Sequence, residues 1–234
     1  MSRIRKTGAF MLKDEGNSQS ESEICVKSDQ MITIAYIAGC PGSGKTTLAG
    51  KLYKKLDWRF VNKDYIKRNL LEKYNYDQLA DPHERDTVRD RVVWEALNEF
   101  FQEIEDAIEE GRRSVIVDNW GYVNNHGSIE PTLDHIRGIM RKHPGKARLK
   151  VILCRASKET RDQRIKRRGS QLQPYLNELP ETPDDERAEQ MLAHLKKEDI
   201  LELDTGADRD EADWNEIVER EVLGHLNTRA TVLV

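Results

Sequence analysis

Gly39, Gly44, Lys45 and Thr46 stand at the spacing G-x-x-x-x-G-K-[ST] within the stretch IAGCPGSGKTTLAG. Glycines at 39, 42 and 44 let the backbone curl so that successive N–H groups face one anion, and a helix beginning at the motif adds its partial positive charge. A lysine at this position reaches β- and γ-phosphates, and the Thr46 hydroxyl can ligate Mg²⁺. The loop Gly39–Thr47, with Pro41 and Ser43 between its glycines, is therefore a candidate cradle for a nucleoside triphosphate, most simply ATP with magnesium. The pattern arises by chance in a chain of this length roughly one time in a hundred, and its setting narrows that further. An apolar stretch ends at Ala38, and a helical one carrying Leu48, Leu52 and Leu56 begins at the motif.

Three further groups of residues bear on what is done with the phosphate. Asp64, in FVNKDYIKRNLL, follows a short apolar run and opens a helical pattern with Ile66 and Leu70. A carboxylate there could accept the proton of an attacking hydroxyl or could simply cap the helix. Asp118 ends the apolar run SVIVD, where it could hold a magnesium-bound water or close a turn. Arg161, Arg164 and Arg168 fall at i, i+3 and i+7 after Ser157, a residue suited to cap a helix N-terminus. Such a basic face could close over a nucleotide as a lid hinged at Gly169, or be a solvated helix partnered by Glu159 and Asp162.

The elements that must position these groups follow from apolar periodicity. Runs at 31–38, 59–62, 114–118, 148–154 and 200–204 are short and rich in Ile, Val or Leu, as buried parallel strands are. Helical patterns lie between them. The clearest has Asp81 as N-cap, Pro82 at the first helical position and Glu84 to close a capping box. Its apolar stripe runs through Val88, Val92, Ala96, Phe100, Ile104 and Ile108, and Gly111 stops it. Alternating strands and helices predict an α/β three-layer sandwich around a mostly parallel five-stranded sheet. Residues 1–30 are polar and aperiodic and are expected to be a flexible tail; residues 31–226 would form one domain, with a lid over about 157–183 and a second tail at 227–234.

A formal charge of −4 and a pI of about 5.9 give no overall positive field, so a polyanion must be met by a local patch. No apolar run approaches the length of a membrane span, and the basic N-terminus lacks the apolar core of a secretory signal. Three cysteines without metal-ligand spacing fit a reducing compartment, so the expected location is cytoplasmic. A guanine-specific switch would need N-K-x-D late in the chain, and NKD at 62–64 lacks the spacer and comes early. A ring-forming ATPase would add a further helical subdomain, for which little chain is left. A small kinase, with an acceptor site and a basic lid, fits better.

In order, GCPGSGKTT, NKDYIKR, VIVDN and RIKRRG resemble the phage-type 5'-hydroxyl polynucleotide kinases and their relatives in the broad P-loop kinase family that includes zeta-toxin-like kinases. The resemblance spans most of residues 31–205 and implies a nucleoside-kinase-like P-loop fold. It assigns Asp64 as general base, Lys67 as the contact to an acceptor phosphate with Arg68 beside it, and Arg164 and Arg168 as lid arginines. The family generally has arginine where Lys67 stands, so this chain offers a point charge in place of a fork. It also implies that the loop after LELDTG lies by the adenine. The segment 119–127, expected to be a loop, is longer and more aromatic than expected of the phage enzymes; Trp120 and Tyr122 could stack on an acceptor base or belong to the core, while His126 has no role the reaction requires. The expected function is transfer of the γ-phosphate of ATP to a hydroxyl, preferably a 5'-OH of RNA or DNA. The alternatives are a small-molecule acceptor, such as a nucleoside or nucleotide sugar, and a regulatory ATPase that transfers nothing.

Overall fold

The computed structural model describes residues 31–111, 113–119, 122–125, 128–168, 200–206 and 211–228. The expected N-terminal tail, residues 229–234 of the C-terminal one, the hinge at Gly169, the remainder of the lid to 183, Trp120 and His126 lie outside the described residues, whereas Asn227 and Thr228 belong to the fold: Asn227 ends the last helix and the Thr228 hydroxyl accepts from Lys150 at 2.9 Å.

Five strands form one sheet: β1 (Ile32–Ala38), β2 (Arg59–Asn62), β3 (Val115–Asp118), β6 (Ala147–Arg155) and β7 (Ile200–Asp204), in the order β2-β3-β1-β6-β7. Every pairing between them is parallel. Because the strands are covered on both faces, their side chains divide at period two between two cores. Ile32, Ile34, Tyr36 and Ala38 of β1 meet Val115 and Val117 of β3 and the helices α2 (Lys63–Lys73), α3 (Pro82–Glu110) and α4 (Thr132–Lys142). Ala35 and Ile37 meet Ile116, Ile152 and Cys154, under α1 (Lys45–Lys55) and the C-terminal helix. That helix runs from α6 (Glu211–Ile217) through a π-helical turn at Val218–Val222 into α7 (Leu223–Asn227) and buries Val218, Val222 and Leu226.

The local chemistry of the helices matches these boundaries. Asp81 caps α3, its carboxylate accepting the His83 N–H at 3.0 Å, with Pro82 at the first position and Gly111 in the left-handed region (φ 61°) at the end. The stripe Val92, Ala96, Phe100, Ile104 and Ile108 is buried, and Val88 packs at its edge. Leu56 is not part of α1: its extended backbone makes it the C-cap, and its side chain still packs on the second core. Ser157 accepts the Thr160 N–H at 3.2 Å and so caps α5 (Lys158–Arg168), as its position suggests.

One expectation is corrected. The segment 119–127 is not a loop throughout: β4 (Tyr122–Asn125) and β5 (Ser128–Pro131) pair antiparallel as a separate hairpin, from Tyr122 opposite Pro131 to Asn125 opposite Ser128. Asn119 ties its base to α4, its side-chain amide donating to the buried Thr132 hydroxyl at 2.9 Å.

The fully buried Phe100 should be among the costliest side chains to truncate: Phe100→Ala is expected to destabilise by about 3–5 kcal/mol in denaturant unfolding. Truncation of exposed Tyr53 should stay within about 0.5 kcal/mol.

Candidate active site

The strand order fixes where a ligand can bind. The chain leaves β1 toward β2 on one side and leaves β3 toward β6 on the other, so the crevice lies outside the C-terminal ends of β1 and β3. Those ends carry the glycine-rich loop and Asp118, and Ile37 stands beside Asp118 in register.

The loop conformation needs its glycines. Gly42 and Gly44 have φ of 79° and 91°, and a Cβ on Gly42 would stand 2.8 Å from the Arg161 carbonyl oxygen. Gly39 is closed in as tightly, by Ser43 and by the Cys154 backbone. Four carbonyls of the loop have partners. Cys40 O accepts the Ser43 N–H at 3.0 Å and Gly44 O accepts the Leu48 N–H at 3.0 Å, which starts α1. Gly42 O accepts from the Arg164 guanidinium at 3.3 Å, and Ser43 O accepts from the buried Thr205 hydroxyl. Thr205 also meets the Arg155 carbonyl through its hydroxyl and its N–H, both at 2.7 Å, and its own carbonyl accepts from Arg164 at 2.7 Å. Residues from the ends of β6, β7 and α5 thus hold the loop from behind.

Asp118 is buried, 2% exposed, and its Oδ2 accepts from the Asn62 side-chain amide at 2.7 Å. Its Oδ1 is buried without a hydrogen-bond partner, as is the Ser43 hydroxyl oxygen. Burial raises the Asp118 carboxyl above the ordinary aspartate range; Lys45 and the Thr46 hydroxyl draw it down, nearby Asp64 raises it, and Asn62 draws it down again. A buried carboxylate oxygen without a partner, next to a threonine hydroxyl, is a hard-oxygen donor set that fits Mg²⁺. No cluster of three or more His, Cys, Asp or Glu side chains able to hold a metal occurs among the described residues.

Asp64 does not cap α2. Asn62 does, its Oδ1 accepting the Tyr65 N–H at 2.8 Å, so the Asp64 carboxylate is exposed in the first turn and close enough to Asp118 to act on its charge. Lys63, at the start of α2, feels the charges of Asp64, Lys67 and Lys45. Burial pushes its ammonium below the ordinary lysine range; the Asp64 carboxylate pulls it up, and Lys67 and Lys45 push it further down. The structure therefore brings Lys45, Thr46, Asp64, Lys67 and Asp118 to one crevice, with Arg68 exposed on α2. Arg164 joins them over the loop, bonded to main-chain carbonyls, which is not the arrangement of a solvated basic helix. Arg161 is buried against Gly42. Arg168 ends α5, and Trp120 lies outside the described residues. A cavity of about 360 Å³ opens beside Thr205, lined by Arg155, Ala156, Ser157 and the end of β7.

Residues 34–197 match the family model AAA_33, an AAA domain. The chain belongs to this family. No curated protein matches it. A kinase-like protein from Chloroflexus aurantiacus superposes with a TM-score of 0.57 at 19% identity, over 84% of this chain and 97% of that one. A sugar kinase from Janibacter aligns at 0.46 and 16% over 82% and 93% of the two chains. A chain of the Pnkp1/Rnl/Hen1 RNA repair complex aligns at 0.43 and 19% over 72% of this chain and 46% of that one. The fold is that of a P-loop kinase-like α/β sandwich. No helix among the described residues is long and apolar enough to cross a membrane.

Sequence reasoning missed Asn62 and Thr205. An asparagine just before the first helical turn is a legible N-cap signal; Thr205, at the end of β7, touches the loop through contacts across more than 160 residues and carries no local signal.

Two outcomes follow from this geometry. Thr205→Val removes a buried hydroxyl shared by two carbonyls and should cost about 1–3 kcal/mol in denaturant unfolding, with Thr205→Ser losing less. The Cys154 thiol, pushed up to about 12 by burial, with Lys45 lowering and Asp118 raising it, should resist iodoacetamide in the native protein near about pH 8 and react readily once unfolded, as peptide mass spectrometry would record.

Proposed function

We propose that residues 31–226 form an ATP-dependent kinase domain that transfers the γ-phosphate to an acceptor hydroxyl, with the 5'-OH end of RNA or DNA as acceptor. The observation that carries this reading is the meeting of Lys45, Asp118 and Asp64 in one crevice, with an exposed carboxylate one helical turn from exposed and half-exposed cations. A carboxylate there can take the proton of an attacking hydroxyl, and the cations one turn along α2 can hold an anionic acceptor beside it.

The N–H groups of Gly39–Thr47 would cradle the phosphates, and Lys45 would reach the β- and γ-oxygens. Thr46 and Asp118 would hold Mg²⁺, which when bound neutralises charge on the phosphate oxygens. Asp64 would take the proton of the acceptor hydroxyl. Arg164, with two of its five N–H donors on the Gly42 and Thr205 carbonyls, and Arg168 farther along α5 would stabilise charge on the phosphoryl group in flight. Lys67 and Arg68, one turn from Asp64, would receive the acceptor's own phosphate, and Trp120 would stack on its terminal base. The cavity beside Thr205 suits the nucleoside end of ATP.

Transfer of labelled γ-phosphate to a panel of 5'-hydroxyl RNA and DNA ends, nucleosides and nucleotide sugars tests the reading. Label should appear on oligonucleotide ends and fall by about 100-fold or more in Asp64→Asn, the scale of a general base. Label on a small molecule alone would reject the polynucleotide acceptor. Free phosphate alone, released equally by the variant, would reject a kinase. Separately, Lys45→Ala should lose nucleotide binding in calorimetric titration while its circular dichroism and melting temperature stay those of the parent protein.

A further inference from the structure

Asn62 ends β2 and stands beside Asp118, which ends β3, in the parallel register of those strands. One amide serves two partners. Its Oδ1 accepts the Tyr65 N–H at 2.8 Å at the start of α2, and its Nδ2 donates to Asp118 Oδ2 at 2.7 Å, a distance at the short end for N–H···O and typical of a charged acceptor. The partners also fix which way round the amide sits. Turned over, it would set its oxygen against a carboxylate oxygen and its NH₂ against a backbone N–H, losing both bonds.

This arrangement leaves the Asp118 carboxylate with one oxygen engaged and the other, Oδ1, buried without a partner. A carboxylate turns easily about its last torsion, so a single buried aspartate does not by itself present a chosen oxygen to a cation. Ligand side chains of metal sites are generally held by such a neighbouring hydrogen bond. The same amide closes the first turn of α2, the turn from which Asp64 projects. A displacement of Asn62 would therefore reach both carboxylates at once.

We propose that Asn62 is a positioning residue of this site: by engaging Asp118 Oδ2 it reserves Oδ1 for the magnesium of the bound nucleotide, and by capping α2 it sets the place of Asp64 relative to that metal. The proposal rests on the kinase reading of the crevice.

The test is binding of a fluorescent ADP analogue to the full chain, with and without Mg²⁺, in the parent protein, Asn62→Ser, Asn62→Ala, Asp118→Asn and the double variant Asn62→Ser/Asp118→Asn. Serine keeps a short capping oxygen but cannot reach Asp118. In Asn62→Ser, magnesium-free affinity should stay within about twofold of the parent, while the Mg²⁺ concentration that half-saturates the enhancement of binding should rise on the order of 10-fold. That rise should vanish when Asp118→Asn is already present, because the serine then has nothing left to disturb. Asn62→Ala, which also removes the cap, should show the same magnesium shift with a lower melting temperature than Asn62→Ser. An unchanged magnesium dependence in Asn62→Ser, a shift that persists in the double variant, or an equal loss of affinity with and without Mg²⁺ would each overturn the assignment. A parent protein that binds no nucleotide would contradict the kinase reading itself and remove the proposal with it.

Discussion

A loop that turns its N–H groups toward an anion must turn its carbonyls away, and buried carbonyls have to be satisfied elsewhere. Much of this structure answers that demand. Gly42 O receives the Arg164 guanidinium, Ser43 O the Thr205 hydroxyl, Cys40 O the Ser43 N–H and Gly44 O the first turn of α1. Two of these partners come from the far side of the sheet, Thr205 from the end of β7 and Arg164 from α5. The order β2-β3-β1-β6-β7 brings them behind β1, because β6 is its neighbour on one side and β7 lies next to that.

The other neighbour of β1 supplies the charge. β3 ends at Asp118 and β2 at Asn62, in register, so a buried carboxylate and the amide that orients it arrive beside the loop from two strands in succession. The raised Asp118 carboxyl follows from that burial. It is tolerable only because Lys45, Thr46 and Asn62 surround it. The helix that begins one residue after Asn62 carries Asp64 outward into solvent and carries Ile66 and Leu70 inward to the core, so the Asp64 side of the crevice is anchored by the same packing that holds α3.

What could be read from the sequence was what is encoded locally. The five strands, the capped and stopped helix 82–110, the glycine-rich loop and Ser157 as a cap all show themselves in periodicity or in a single residue's backbone chemistry. The hairpin at 122–131 was hidden because its strands are only four residues each and half polar, below the length at which alternation separates strand from loop. Whether Asp64 caps α2 could not be read from its own position; it turned on Asn62, two residues earlier, occupying the cap. That Arg164 is not a solvated cation could not be read from its own segment; it follows from the carbonyls of Gly42 and Thr205, 122 and 41 residues away, which accept from it. Partners separated by that much chain leave no periodic trace.

The most direct measurement is a crystal structure of the protein with Mg²⁺ and a non-hydrolysable ATP analogue. The account predicts the β-phosphate enclosed by the main-chain N–H groups between Gly42 and Thr46, Lys45 on the β- and γ-oxygens, and the metal between the Thr46 hydroxyl and Asp118, with the γ-phosphate facing Asp64. Phosphates bound outside the glycine-rich loop, or a metal that leaves Asp118 without contact while the nucleotide is in place, would contradict it.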